Sequence, residues 1–307
     1  SSMVFRTPCP CSPSRCRRFS KRPGSDDTML REARVLGAIA GSAVPHARLV
    51  AMCADVEVIG AAFYLMEAID GFNPTVEMPE LHRNSEAIRF AMGLEMACAA
   101  AALSEIDYLA VGLEDFGRPE GYLARQAPRW RKQLSEYSQV PGYDASETVG
   151  LLQIAQWLED NVPSSQRTGL IHGDFHLANA MFEMDGPRLA AIVDWELSTI
   201  GDTRVDLGWL LATWPGPGTP VAASVGARPW QGFPTREQLI DSYCARSGRI
   251  VDDLQWFELL ACFKLAVILE GTHARACAGK AKRSTGDRLH AAALGLAAKA
   301  SGLIQAM

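Results

Sequence analysis

One segment, residues 171–196, constrains this chain more strongly than any other part of the sequence. It begins as an apolar run that ends in HGDFHLAN, and it continues as two strand-like stretches, ANAMFEM and RLAAIVDWE, around an Asp-Gly-Pro turn. A hairpin folded at that turn places Asn179 and Asp194 at the same edge, with Asp174 beside them. We therefore predict that two carboxylates and one amide oxygen converge on one point.

These oxygen donors suit a magnesium site. Mg²⁺ is a hard cation that takes oxygen ligands and completes its shell with water and substrate phosphates. Such a site leaves one carboxylate free to orient a hydroxyl group. A metal ion that neutralises phosphate oxygens and an Asp that positions the nucleophile are the parts that phosphoryl transfer needs.

The rest of the chain predicts an α+β protein. Helical spacing marks residues 26–40, and residues 47–53 and 61–67 are typical of a strand hairpin. Further helices are expected over residues 85–104, 120–138, 147–161, 206–213, 235–247, 253–276 and 287–306. This order predicts a small α/β lobe followed by a larger, mostly helical lobe that carries the hairpin.

The first residues differ from everything that follows. Residues 1–22 contain six Lys and Arg, no acid, and neither strand nor helix periodicity. We therefore divide the chain into an irregular basic segment (1–22), a small lobe (23–70) and a helical lobe (71–307).

Composition excludes several classes of protein. A chain of 307 residues with 48% hydrophobic and 21% charged residues is typical of a folded globular protein. The net charge of −5 argues against a general nucleic-acid binder, and no apolar run approaches the roughly 20 residues that span a bilayer. We expect neither nucleic acid nor membrane as a partner. Most of the eight cysteines stand singly in apolar patterns, which favours a reducing, cytoplasmic compartment.

HGDFHLAN followed by IVDWE resembles the catalytic motif of the aminoglycoside phosphotransferase and choline kinase-like family, within the protein kinase-like superfamily. The family pattern is HGDxxxxN and then a strand that ends in Asp. The resemblance implies a two-lobed kinase-like fold, with ATP and Mg²⁺ as cofactors. It implies that Asp174 accepts the substrate hydroxyl proton and that His172 braces the loop. Asn179 and Asp194 match the two metal ligands.

The resemblance extends beyond this segment. Glu32 in REARVL matches the helix Glu that holds the phosphate-binding Lys, and Asp206 matches the Asp that braces the catalytic loop. YLMEAIDG resembles the linker between lobes, whose backbone near Glu67 to Ile69 would bind adenine. Glu196 is interpreted as a surface or loop-supporting acid. The stretch ARSGRIVDDLQWFELLACFKLAVILEG resembles the kinase-like domain that is fused to acyl-CoA dehydrogenases.

The chain departs from the family pattern near its beginning. The small lobe of the family begins with two strands joined by a phosphate-covering loop, but residues 1–20 do not resemble strands. KRPG resembles the RRPP of the subgroup, which makes Lys21 or Arg22 the candidate phosphate-binding residue. We expect a truncated small lobe in which the nucleotide lid is missing or replaced.

Three functions follow from these residues. The first is an ATP- and Mg²⁺-dependent phosphotransferase that acts on a hydroxyl of a small molecule, such as an aminoglycoside, choline, a sugar, a lipid alcohol or an acyl-thioester-linked alcohol. The alternative is a non-catalytic kinase-like module, which the missing lid favours and the intact Asp174, Asn179 and Asp194 oppose. The third is a metallohydrolase in which His172, Asp174 and His176 present ligands to Zn²⁺ or Mn²⁺. A homodimer is compatible with the sequence.

Overall fold

The structure is a computed structural model that describes residues 24–216 and 218–305. The predicted irregular segment and the predicted loss of a nucleotide lid fall outside the described residues. Lys21 and Arg22 lie outside them as well.

The small lobe consists of one helix and one hairpin. Helix α1 (Ser25–Ala38) packs against the antiparallel strands β1 (Leu49–Cys53) and β2 (Phe63–Met66). Its apolar side chains lie on the buried face, and two Asp residues in its first turn complement the positive end of the helix dipole. The predicted helix and hairpin are confirmed, with ends shifted by a few residues.

Two further strand pairs hold the predicted catalytic segment. Strand β3 (Thr168–Ile171) pairs antiparallel with β6 (Thr199–Asp202), and β4 (Ala180–Phe182) pairs antiparallel with β5 (Leu189–Ile192). HGDFHLAN connects β3 to β4, and Asp194 lies between β5 and β6. The predicted hairpin at the Asp-Gly-Pro turn is confirmed. Strand β6 was not predicted, because its four residues contain one large apolar side chain and gain strand structure by pairing with β3.

Helices form the rest of the described chain. They are α2 (Glu80–Arg83), α3 (Glu86–Ser104), α4 (Tyr122–Tyr137), α5 (Val149–Asp160), α6 (Arg204–Thr213), α7 (Arg236–Ser247), α8 (Leu254–Cys277) and α9 (Arg283–Gln305). All the predicted helices are confirmed. The single turn α2 was not predicted, since four residues are too few to show a helical period.

Helix α3 is apolar enough to resemble a membrane span. An 18-residue window within it has a mean hydropathy of 1.4. The sequence did not predict this length of apolar chain, because Arg89 and Glu95 interrupt the run. However, 61% of that window is buried inside the protein, where α3 packs against α7, β3 and β5. We therefore interpret α3 as a core helix.

The strand that leads into HGDFHLAN lies between two hydrophobic cores. Leu170 packs in the core formed by α1, α3 and α7, whereas Ile171 packs in the core formed by α4, α5, α8 and α9. Neighbouring residues of a strand point to opposite faces, so β3 contributes to both cores. Helix α6 also lies between them, and all ten of its residues are buried. The loop after β3 therefore begins from a rigid base.

Candidate active site

His172 is fully buried at the start of the loop that joins β3 to β4. Its Nε2 lies 3.1 Å from the carbonyl oxygen of Val193, and its Nδ1 accepts a hydrogen bond of 3.2 Å from the backbone N–H of Asp174. One tautomer, protonated at Nε2, satisfies both contacts. Burial lowers the pKa of His172 to about 4, so the ring is neutral at neutral pH. Both ring nitrogens bind backbone atoms, which supports a bracing role.

The same contacts exclude the metallohydrolase arrangement. A zinc or manganese ligand needs a free ring nitrogen, and His172 has none. His172, Asp174 and His176 therefore do not form a three-ligand face.

Asp206 holds the next turn of the loop. Its two carboxylate oxygens accept hydrogen bonds from the backbone N–H groups of His172 and Gly173, at 2.7 and 2.9 Å. Burial raises the pKa of Asp206 to about 6, even though both hydrogen bonds favour the ionised form. Gly173 has a φ of 83°, and a Cβ there would lie 2.5 Å from the carbonyl oxygen of Leu197. Only glycine fits this turn.

Asp174 follows with a half-buried carboxylate that is held at both oxygens. Oδ1 lies 3.3 Å from Nε2 of His176, and Oδ2 accepts a hydrogen bond of 3.1 Å from Nδ2 of Asn179. The same Nδ2 donates to the backbone carbonyl of Asp174 at 3.0 Å. Burial is the largest influence on the pKa of Asp174 and raises it. The hydrogen bond from His176 and the charges of His176 and Lys264 together outweigh burial, so the pKa of Asp174 falls below its ordinary value.

Asp194 follows Val193, whose backbone connects the segment after β5 to the loop between β3 and β4. The backbone N–H of Val193 donates to the carbonyl of Asn179 at 2.9 Å, and the carbonyl of Val193 contacts His172. Asp194 itself has φ 69° and ψ 64°, a left-handed conformation that is uncommon for residues other than glycine. The backbone of Asp194 is thus adjacent to Asn179 and His172, as the hairpin predicts. An unusual backbone conformation at this position supports a functional role.

The side chain of Asp194 lies in a cluster of acids. One carboxylate oxygen from each of Glu32, Asp194 and Glu196 lies within 4.8 Å of the other two. Glu32 is 3% exposed and accepts a hydrogen bond of 2.7 Å from the hydroxyl of Tyr64. Burial raises the pKa of Glu32, and the charges of Asp194 and Glu196 raise it further. Glu196, interpreted from sequence as a surface or loop acid, therefore belongs to this cluster.

Glu32 was expected to hold a phosphate-binding Lys or Arg. In the described part of the chain its carboxylate has Tyr64 as a partner and forms no ion pair. The two candidate cations lie outside that part. No sequence signal pointed to Tyr64, which lies on strand β2 of the small lobe, whereas Glu32 lies on helix α1.

The predicted adenine-binding linker follows β2. The backbone N–H of Glu67 donates to the carbonyl of Arg48 at 2.9 Å, and their side chains form an exposed ion pair. Ile69 is half-buried, and Phe72 then pairs with Phe182 of β4 through two backbone hydrogen bonds of 2.8 and 2.9 Å. The hairpin occupies the N–H of Glu67, so this group is not available to a base.

Lys264 is a residue of the site that sequence analysis did not assign. Its Nζ donates a hydrogen bond of 2.9 Å to the carbonyl of Gly173 and lies 4.2 Å from the ring centroid of Trp209. Burial lowers the pKa of Lys264 to about 8, against the attraction of Asp174 and Asp206. The signal for it was a single lysine inside the apolar stretch of α8.

Comparison with known proteins shows a consistent group of relatives. The sequence profile described as the phosphotransferase enzyme family matches residues 3–239. Acyl-CoA dehydrogenase family member 10 of Mus musculus is 32% identical over 267 residues, which cover 84% of this chain and 24% of that protein. Acyl-CoA dehydrogenase family member 11 of Homo sapiens is 32% identical over 253 residues, which cover 80% of this chain and 31% of that protein. The chain thus spans about a quarter to a third of these relatives.

Solved structures show the same fold. A protein of Ralstonia eutropha JMP134, provisionally assigned as an aminoglycoside phosphotransferase, is 32% identical with a TM-score of 0.76, over 92% of this chain and 84% of that one. The GDP complex of aminoglycoside 2′-phosphotransferase-IIIa is 16% identical with a TM-score of 0.62, over 90% of this chain and 84% of that one. These matches confirm the predicted two-lobed kinase-like fold.

Proposed function

Since the chain belongs to the phosphotransferase enzyme family, we propose that it transfers the γ-phosphate of ATP to a hydroxyl group of a small molecule, with Mg²⁺ as cofactor. The observation that carries this proposal is the position of Asp174. Its side chain is 28% exposed, and its carboxylate has a lowered pKa and is held at Oδ1 by His176 and at Oδ2 by Asn179. A carboxylate that is ionised, oriented and still accessible suits a group that positions a hydroxyl and takes its proton.

Asn179 and Asp194 are the residues that would hold Mg²⁺. The amide nitrogen of Asn179 makes both bonds to Asp174, so its oxygen Oδ1 takes part in neither. The carboxylate of Asp194 lies among acids whose mutual repulsion favours a bound cation. The donor set consists of hard oxygens, which Mg²⁺ prefers. When bound, the ion neutralises charge on the phosphate oxygens.

The remaining residues of the loop act by positioning. His172 and Asp206 fix the backbone on the N-terminal side of Asp174, so that its carboxylate meets the acceptor hydroxyl in one orientation. Asp174 takes the proton as the hydroxyl oxygen bonds to the γ-phosphorus and the bond to ADP breaks. Preformed geometry of this kind lowers the entropic part of the barrier.

The acceptor is proposed only as a small-molecule alcohol. The dehydrogenase names of the relatives describe proteins three to four times as long as the matched segment. A screen therefore includes aminoglycosides, choline, sugars, lipid alcohols and hydroxyacyl thioesters.

Calorimetric titration of ATP with and without Mg²⁺ tests the donor and the metal. We expect Mg²⁺-dependent binding by the wild type, and a loss of about 10-fold or more in affinity for Asp194→Asn. Glu183→Gln is the matched control, because Glu183 is an acid in the same hairpin that pairs with Arg188 at the surface. Equal affinity of Asp194→Asn and wild type would contradict the metal assignment. Binding without transfer to any acceptor would favour the non-catalytic module.

A further inference from the structure

Lys264 is a charged residue in a buried helix. Its neighbours Phe263, Ala266 and Val267 are fully buried in the core that α8 shares with α4, α5 and α9. Placing an ammonium group in such surroundings is costly unless it is hydrogen-bonded and faces opposite charge. The position of Lys264 therefore calls for a specific partner.

That partner is the catalytic loop. The Nζ of Lys264 donates to the carbonyl oxygen of Gly173 at 2.9 Å, and it lies 4.2 Å from the ring centroid of Trp209 on α6 and 5.8 Å from that of Trp130 on α4. The aromatic faces stabilise the ammonium group and fix its direction. Lys264 thus connects α4, α6 and α8 to the turn in front of Asp174.

The bond from Lys264 completes the hold on one peptide unit. The peptide between Gly173 and Asp174 is planar, so its carbonyl and its N–H turn together. Lys264 binds the carbonyl, and Nδ1 of His172 accepts from the N–H at 3.2 Å. With both ends held, this plane cannot rotate, and the direction in which Asp174 leaves the backbone is set.

The charges around Lys264 agree with this geometry. Asp174 and Asp206 both attract it, and Arg129 on α4 repels it. In return, the charge of Lys264 lowers the pKa of both carboxylates. Asp206 accepts hydrogen bonds from the backbone N–H groups of His172 and Gly173, whereas Lys264 donates to the carbonyl of Gly173. The carboxylate and the ammonium group therefore bind different backbone atoms of the same turn.

We infer that Lys264 is a positioning residue for the proposed phosphotransfer reaction, because it fixes the peptide that carries Asp174. The inference rests on the proposed function of this site. Lys264→Met keeps most of the apolar stem and removes the donor, whereas Lys264→Arg keeps a donor and the charge. Lys299→Met is the matched control, since Lys299 is another half-buried lysine, and it bonds Glu258 and Thr219 away from the loop.

Hydrogen–deuterium exchange resolved to single amides gives the first test. In Lys264→Met we expect the amide of Asp174 to exchange about 10-fold faster, because the peptide plane between Gly173 and Asp174 can then rotate and break the hydrogen bond to His172. The amides of His172 and Gly173 stay protected by Asp206, and Lys264→Arg restores most of the protection. Unchanged exchange at Asp174, or equal loosening of all three amides, would overturn the inference.

Release of phosphate from Mg²⁺-ATP with water as acceptor gives the second test. We expect kcat to fall about 10- to 100-fold in Lys264→Met at an unchanged KM for ATP. Lys264→Arg should recover part of this loss, and Lys299→Met should leave kcat unchanged. An unchanged kcat would overturn the inference. If the wild type neither binds nor hydrolyses ATP, the proposed function fails, and the exchange pattern alone then decides whether Lys264 positions the loop.

Discussion

Three ionisable side chains, of which His172 and Asp206 are buried and Lys264 is half-buried, hold the backbone of the catalytic loop. Burial lowers the pKa of His172 to about 4, raises that of Asp206 to about 6 and lowers that of Lys264 to about 8. At neutral pH the loop therefore contains a neutral imidazole at His172, and it is held by a carboxylate from α6 and an ammonium group from α8. This is the state in which every hydrogen bond described above has a donor and an acceptor.

Because the pKa of His172 is lowered on folding, the effect of His172→Gln on the free energy of unfolding should depend on pH. The folded protein binds this proton more weakly than the unfolded chain does, so His172 costs stability as the pH falls from about 6.5 toward 4. Glutamine does not titrate. The destabilisation caused by His172→Gln should therefore be about 2 kcal/mol smaller at pH 5 than at pH 7.5.

Urea unfolding of both proteins at the two pH values measures this difference. Asp206 titrates with the opposite sign, since its pKa is raised on folding, but it is present in both proteins and largely cancels. A destabilisation independent of pH would show that His172 is not held neutral.

Single residues of the site were predictable from sequence only where they belong to a local motif. Asp174 and Asn179 are five positions apart, so their contact follows from the spacing of HGDFHLAN. Lys264 reaches the loop from 91 positions away, and Tyr64 reaches Glu32 from another element. Such contacts depend on how helices and strands pack, which spacing in one chain does not reveal.

The turn at Gly173 sets the direction in which the catalytic loop leaves strand β3. Gly173→Ala would place a Cβ against a backbone carbonyl at a positive φ. We expect a loss of about 3 kcal/mol in the free energy of unfolding, from the left-handed conformation and the overlap together.

Gly186→Ala is the control for this change. Gly186 lies in the turn between β4 and β5, where a Cβ would meet nothing within 4 Å. Its substitution should change the free energy of unfolding by less than about 0.5 kcal/mol. Similar losses for the two variants, measured by chemical unfolding, would mean that the turn at Gly173 is not tightly constrained.

Elements were predictable where their residues carry a clear period. The long helices α3, α8 and α9 are marked by apolar spacing over many turns, and the hairpin of β4 and β5 by its Asp-Gly-Pro turn. Strand β6 has no such signal, because Gly201 and Asp202 form half of it. Its structure depends on a partner strand some thirty residues earlier.

A buried ion pair between Asp202 and Arg204 stabilises the junction between strand β6 and helix α6 and connects it to distant parts of the chain. Asp202 and Arg204 are both fully buried and form hydrogen bonds of 2.8 and 3.0 Å. Arg204 also donates to the carbonyls of Ser165 and Asp252, which belong to segments before β3 and before α8. The pair therefore joins three parts of the helical lobe.

Arg204→Met should cost about 3 to 5 kcal/mol, because it leaves the carboxylate of Asp202 buried without its counter-ion. Arg188→Met removes an exposed pair with Glu183 and should cost less than about 1 kcal/mol. Thermal and urea unfolding of both variants measure the difference. Equal losses would contradict the central position of Arg204.

The order of strands and helices was enough to predict the two-lobed fold, since a small hairpin lobe followed by helices around one embedded hairpin has few arrangements. The position of α6 between two cores was not predictable, because its ten residues are buried on every side and show no amphipathic face.

The role of Asp174 is tested most directly by the rate at which γ-labelled ATP loses its phosphate to water or to an acceptor, in wild type and Asp174→Asn. We expect Mg²⁺-dependent transfer by the wild type and a fall of about 10²- to 10⁴-fold in the rate for Asp174→Asn, with the affinity for ATP nearly unchanged. Transfer at the same rate by Asp174→Asn, or ATP binding with no transfer by the wild type, would contradict this role.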